Sequence, residues 1–189
     1  MTPSDDTRSA PRIREHSVAL SEGAVALRPM TEGDWAILLP WSQDVDVLHF
    51  SDGPGVPPRS LDETQGIYRG VSQDAYCFII EWAGRAVGEC WLQRLNLDWL
   101  RDLHPAKDCR RIDITIGEKE CWGKGVGTIA VRLLVGFAFA SEGADVLFAC
   151  DVADYNPRSR RMFECLGFEL LEERGADPSR SYLTLRKYI

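Results

Sequence analysis

Hydrophobic positions change their period several times along the chain, and each change marks an element. Ala24 to Pro29 alternates as a first strand does. Thr31, with Asp34 three residues on, reads as the N-cap of a helix carrying Trp35, Ile37, Leu38 and Trp41, which Pro40 bends or ends. Ser51 to Pro58 is a loop rich in Gly and Pro. Ser60 caps a second helix, Leu61 to Val71, with Asp62 and Glu63 favouring its dipole. Two apolar strands, Tyr76 to Trp82 and Ala86 to Leu95, flank the hairpin turn Ala83-Gly84-Arg85. Asn96 to Asp108 is a polar connection with some aromatic content, and Arg110 to Gly117 is the next strand. A helix follows over Ile129 to Ala140, then a strand of buried type, Asp145 to Asp151. Pro157 to Leu166 is a helix closed by Gly167, and Phe168 to Glu173 with Tyr182 to Tyr188 make a last pair of strands.

Strand, two helices, three strands, helix, strand, helix, two strands: this order predicts a mixed α/β sheet flanked by helices, in one domain over residues 23–189. Residues 1–22 form a polar arm without the apolar core of a signal peptide. The chain's 189 residues suffice for one full core.

Composition narrows the chemistry. A net charge of −7 disfavours nucleic acid as a partner and suits a cationic small molecule, or simply solubility. No apolar run approaches the length of a membrane span, so no membrane partner is expected. The six cysteines form no Cys-x-x-Cys pair and none sits at zinc spacing from a histidine, which predicts reduced thiols, a cytoplasmic protein and no metal site. Composition leaves monomer and homodimer both open.

The most specific signal is Trp122-Gly123-Lys124-Gly125-Val126-Gly127-Thr128, set between a strand and a helix. Glycines at alternate positions bare a row of backbone N–H groups, and the helix dipole adds to them; a phosphate or pyrophosphate is the natural guest. The spacing is neither the Rossmann fingerprint nor a P-loop. The competing reading is a tight turn with no ligand.

With Asn156-Pro157-Arg158-Ser159 and Arg161 to Phe168 one strand further on, the turn resembles the linked motifs of the GNAT superfamily of N-acetyltransferases, over residues 24 to 189. The resemblance implies a mixed, mostly antiparallel sheet and acetyl-CoA as cofactor. It implies that the amides of Gly123, Lys124, Gly125, Val126, Gly127 and Thr128 hold the CoA pyrophosphate, with Trp122 beside them in the cofactor set. It implies that the strand carrying Ile114, Thr115 and Ile116 pairs with the pantetheine arm, admitted by a splay from the strand Asp145 to Asp151. Asn156, Arg161 and Phe163 complete the cofactor set; Asn156 also reads as a plain N-cap before Pro157. Phe163 stands where the family usually places a tyrosine, so no general acid is assigned.

Within the superfamily, Ile112-Asp113 and the segment Asp151 to Asn156 look like the aminoglycoside 6′-N-acetyltransferases, without the glutamine after the first Asp (Ile114) or the proline after the second (Val152). The acceptor implied is a primary amine of a cationic small molecule. Asp113 stands as the candidate base, or as the partner of Arg110, Arg111 or Arg161. Asp151, Asp154 and Asp52 are candidates for gripping the amine, and Trp99 for stacking on a sugar; solvated loops and core packing are the plain alternatives. Cys121 and Cys150 have no adjacent base to make either a nucleophile, so attack is direct, in a ternary complex. Other acceptors stay open: a ribosomal-protein N-terminus, a hydroxylysine in siderophore assembly, or none, in a CoA-binding sensor.

Overall fold

A single eight-stranded sheet organises the computed structural model, which describes residues 11–172 and 177–187. Its strands are β1 (Leu20–Glu22), β2 (Val25–Pro29), β3 (Ala75–Trp82), β4 (Arg85–Arg94), β5 (Cys109–Ile116), β6 (Val146–Ala153), β7 (Glu169–Leu170) and β8 (Arg180–Arg186). They lie in the order β1-β2-β3-β4-β5-β6-β8-β7, and every neighbouring pair is antiparallel except β5 and β6. The helices are α1 (Trp35–Gln43), α2 (Val45–Ser51), α3 (Leu61–Ser72), α4 (Asp98–Asp102), α5 (Val126–Ala140) and α6 (Pro157–Cys165).

Strand alternation sorts the side chains onto two faces. On one, Leu27, Phe78, Ile80, Cys90, Leu92 and Ile112 pack against Val126, Ala130, Val131, Leu134 and Phe137 of α5. Each large apolar side chain there contributes roughly 1.5–3 kcal/mol by leaving water. On the other, Cys77, Ile79 and Trp91 meet Leu38 and Trp41 of α1 and Tyr68 of α3. Glu89, Asp113 and Thr115 share this second face, because Glu89 pairs with Thr115 and Trp91 with Asp113.

Several boundaries differ from the sequence expectation, each for a local reason. Helix α1 starts at Trp35 without a side-chain cap, because the Asp34 carboxylate is already committed to Arg28 and Thr31. Pro40 lies inside α1 and does not end it. The segment after α1, unassigned or read as loop, forms α2, whose amides at Asp46 and Val47 donate to Asp44. A short helix, α4, interrupts the expected connection. Helix α5 begins earlier than Ile129, with Gly125 as its left-handed N-cap. Ser60 caps α3 as predicted, accepting from the Glu63 amide, and Glu63, expected only to favour the dipole, also accepts from Ser60 and so completes a capping box.

The N-terminal segment also differs. Leu20–Glu22 is a strand of the sheet, and Ile13 is buried. Arg14 Nη2 donates to the Ala75 carbonyl at 2.9 Å, which ties the segment to β3. The rest of the arm, residues 1–10, lies outside the described residues, as do Glu173 and Tyr188 from the expected last strands.

Candidate active site

The parallel pair β5–β6 holds for only three residues, Cys109, Arg110 and Arg111 against Val146, Leu147 and Phe148. Beyond them the strands part, as the GNAT resemblance implies. Strand β6 helps to open the gap. Its pairing with β8 shifts register between Ala149 and Val152, and Asp151 there has φ +55. A non-glycine residue in that region is uncommon and tends to occur where function requires it. Two groups hold the kink. Tyr182 Oη donates to Asp151 Oδ1 at 2.5 Å, and Arg180 Nη1 donates to the Asp151 carbonyl at 3.0 Å.

The separated strands open a cleft of about 920 Å³ that runs from α2 and α3 to the glycine turn. On the turn side, backbone dominates. Gly123 and Gly125 have φ +73 and +82, and a Cβ on either would point into open space with nothing within 4 Å. The first turn of α5 lacks carbonyl partners for its N–H groups, and no side chain caps them. This is a cradle shaped for an anion that approaches the backbone closely. Trp122 Nε1 donates to the Ile116 carbonyl at 2.7 Å, which shows that Ile116 points its backbone away from β4. By alternation, the N–H and C=O of Ile114 face the same open edge. Arg158 lies over both Trp122, at 4.5 Å from the ring centre, and Phe50, at 4.7 Å.

On the other side, side chains dominate. Asp52, Glu89, Asp113 and Asp151 all line the cleft. Asp113 accepts from Arg111 through both oxygens, at 2.6 and 2.7 Å, so of its two sequence roles the ion pair is the one present. Asp52 pairs with Arg59 at 2.5 Å. Glu89 differs: it is 2% exposed, its Oε2 has no hydrogen-bond partner, and burial raises its carboxyl to about 8. Trp41 forms a wall here. Its indole lies so close to Gly117 that a Cβ at that position would meet it at 2.2 Å, and its Nε1 donates to Glu118 at 3.0 Å.

The cleft gathers most of the residues singled out in the sequence: Ile114, Thr115, Ile116, Trp122, Gly123, Gly125, Val126, Gly127, Thr128, Asn156, Arg161 and Phe163. Asn156 also serves as the N-cap of α6, its Oδ1 accepting from the Ser159 amide at 3.3 Å. Three residues fall elsewhere. Lys124 turns its ammonium over Trp82, at 5.5 Å, because the left-handed turn points its side chain out of the cleft. Trp99 packs edge-on against Tyr182 in a separate apolar cluster, so it is a core residue rather than a sugar platform. Asp154 lies outside the cleft lining and accepts from Ser181 Oγ at 2.5 Å. Sequence reasoning passed over Glu89, Tyr68, Arg111 and Arg180 as site residues. Of these, Glu89 stands out in the sequence only as a charge between Gly88 and Cys90 inside an apolar strand pattern.

Burial pushes the thiols of Cys121 and Cys150 up, which keeps them protonated and unreactive. Phe163 is buried edge-on against Phe168. Among the described residues no helix is long and apolar enough to cross a membrane.

Known proteins with this architecture are numerous. The chain is similar to a domain from Methanocaldococcus jannaschii, at 22% identity and TM-score 0.71, over 88% of this chain and all of that one. It is similar to the aminoglycoside acetyltransferase AAC(6')-Ib solved with coenzyme A and kanamycin, at 22% identity and TM-score 0.70, over 86% of this chain and 95% of that one. It is similar to Mycobacterium smegmatis RimJ in complex with CoA-disulfide, at 20% identity and TM-score 0.67, over 89% and 86%. These likenesses establish the fold. The model of the acetyltransferase (GNAT) domain family matches residues 25–169, which takes in β2 to β6, α6, the splay and the glycine turn, and on that match the chain belongs to the GNAT acetyltransferase family.

Proposed function

We propose that this protein is an acetyl-CoA-dependent N-acetyltransferase whose acceptor is a primary amine of a cationic small molecule, with the 6′-amine of an aminoglycoside as the leading candidate. The observation that carries this reading is the two-sided cleft, with an anion cradle of bare amides at one end and the carboxyl side chains of Asp52, Glu89, Asp113 and Asp151 at the other. The amides of Gly123, Gly125, Val126, Gly127 and Thr128 hold the pyrophosphate, the Lys124 N–H being given to the Cys121 carbonyl, and Asn156, Arg161 and Phe163 line the cofactor's path. The open edge of β5 pairs with the pantetheine arm, and the Ile114 N–H faces the thioester oxygen, where it stabilises developing negative charge. When bound, acetyl-CoA supplies an activated acetyl group.

The acceptor's ammonium enters among Asp52, Asp113 and Asp151. Arg111 uses one lone pair on each Asp113 oxygen, which leaves others to accept from an ammonium. Attack is direct, because both buried thiols near the cleft are held protonated. Titrating the thiol released from acetyl-CoA tests this reading, with kanamycin, spermidine and an N-terminal peptide as parallel acceptors. Turnover with aminoglycosides bearing a 6′-amine, and none with 6′-hydroxyl analogues, is the expected result. Turnover only with the peptide replaces the acceptor class, and thiol release with no amine defeats the reading.

A further inference from the structure

Among the described residues, Glu89 and Asp151 are the cleft carboxyls without an ion pair; Asp151 accepts from Tyr182, whereas Glu89 keeps an oxygen with no partner at all. Asp113 has Arg111 and Asp52 has Arg59, whereas no arginine, lysine or histidine among the described residues pairs with Glu89. The titratable groups that face it are Tyr68 from α3, Asp113 from β5, Asp52 at the end of α2 and Cys77 from β3. The hydroxyls of Tyr68 and Thr115 also face it, but they do not offset the cost of burial. A fully buried carboxyl with an unsatisfied oxygen is expensive to keep and calls for an explanation. Its place in the fold supplies one. Glu89 sits opposite Thr115 in the β4–β5 register, level with the open edge of β5 and on the acid-lined face.

We propose that Glu89 is a catalytic residue, the group that accepts the proton of the acceptor ammonium. This rests on the amine-acetylation reading above. An arriving ammonium provides the positive charge that no neighbouring described side chain supplies to Glu89 and so favours the ionised carboxyl. Glu89 then takes one N–H proton, forming an O–H bond, and the freed nitrogen lone pair attacks the thioester carbonyl. The C–N bond forms, the C–S bond breaks, and CoA departs as a thiolate. A second proton, from the adduct nitrogen, ends on that thiolate, and Glu89 returns its own proton to water. Ammonium and acetyl-CoA thus give amide, CoA thiol and one proton. A base with a pKa near neutrality is well matched to this task. Asp113, whose two oxygens both hold a permanent cation, is better suited to binding the ammonium than to taking its proton.

The test compares the wild type with Glu89→Gln and Glu89→Asp, with kanamycin as acceptor, from about pH 5.5 to about 9.5. Glu89→Gln is expected to lower kcat by about 10²–10⁴-fold with KM for acetyl-CoA unchanged, and to abolish the rising limb of the pH profile; Glu89→Asp restores part of both. A Gln variant within about threefold of wild type overturns the proposal. A second measurement is independent of turnover: carbon NMR of labelled glutamate in the CoA-bound protein, with ethylammonium as a plain probe. A Glu89 resonance that shifts its titration to lower pH with ethylammonium, but not with tetramethylammonium, supports the assignment. A resonance that ignores ethylammonium overturns it. If the wild type acetylates no amine while the NMR response is present, the acceptor reading fails and the ammonium site stands.

Discussion

The two ends of the cleft are built from different materials. The glycine-turn end is main chain: amides bared by Gly123 and Gly125, and the unpaired edge of β5 at Ile114. The end proposed for the acceptor is side chain: Asp52, Tyr68, Glu89, Asp113 and Asp151, brought together from the end of α2, α3, β4, β5 and β6. A backbone site needs only that nothing intrude, so it depends on residues that lack a Cβ. A side-chain site needs each charge answered by a neighbour, so a change of one partner alters its chemistry. The same sheet can therefore present a constant cofactor end and a variable acceptor end.

The sharpest way to break the contrast is a single methyl group. Gly125→Ala places a Cβ in the anion cradle at φ +82. Gly143→Ala, beyond the far end of α5, carries the same penalty at φ +71 with the same open surroundings. Both variants should lose similar stability, roughly 1–2 kcal/mol. Only Gly125→Ala should weaken CoA binding, by about a hundredfold in calorimetry, or roughly 2.7 kcal/mol. Equal CoA affinities would mean that the amides are not the anion site.

At the acceptor end the matching experiment removes a partner. Arg111→Met leaves the Asp113 carboxylate without its cation in a largely buried place. Breaking a fully buried pair costs about 3–5 kcal/mol, and the residual exposure here lowers the expected loss to about 2 kcal/mol by chemical denaturation. A second change, Asp113→Leu, should recover most of it, because the cost lies in the orphaned charge. If the double variant is no more stable than the single one, the pair is not what holds this corner together.

Glu89 tests the same contrast through pH. Its carboxyl is raised from the ordinary 4.5 to about 8 by burial. Between those values the native state holds a proton that the unfolded state has lost, so stability falls as pH rises through this window. The contribution is fully present below about 4.5 and fully lost above about 8. Glu89→Gln cannot ionise, so its melting temperature should gain on the wild type across that window, by on the order of 5 °C, and then level off. Parallel pH profiles for the two proteins would show that Glu89 is already ionised in the native state.

How much of this is legible in the sequence follows the same division. The glycine turn, the Asn156-Pro157 cap and the strand order are local patterns, and local patterns survive folding. Asp113 could be read as a base or as an ion-pair partner, and only the fold shows Arg111 closing on it, two residues away on the same strand face. Trp99 and Lys124 have the right chemistry, but α4 and the left-handed turn aim them elsewhere. Glu89 was hidden for a different reason. A carboxyl gains its meaning from what surrounds it, and Tyr68, Asp52 and Thr115 come from three distant stretches of chain.

Asn156 joins the two ends and gives the smallest expected effect. Its side chain caps α6 at Ser159 and lines the cleft. As a cap alone, Asn156→Ala should cost about 1 kcal/mol, while Asn156→Asp, an equally good cap, gives up only the long 3.5 Å donation from Nδ2 to the Phe50 carbonyl. A carboxylate here would nevertheless add a negative charge beside an anionic cofactor. If Asn156 also meets CoA, Asn156→Asp should retain the wild-type melting temperature and yet bind CoA several-fold more weakly, with the gap narrowing as salt is raised. Full retention of affinity in that variant would confine Asn156 to capping and leave the cofactor end to the main chain alone.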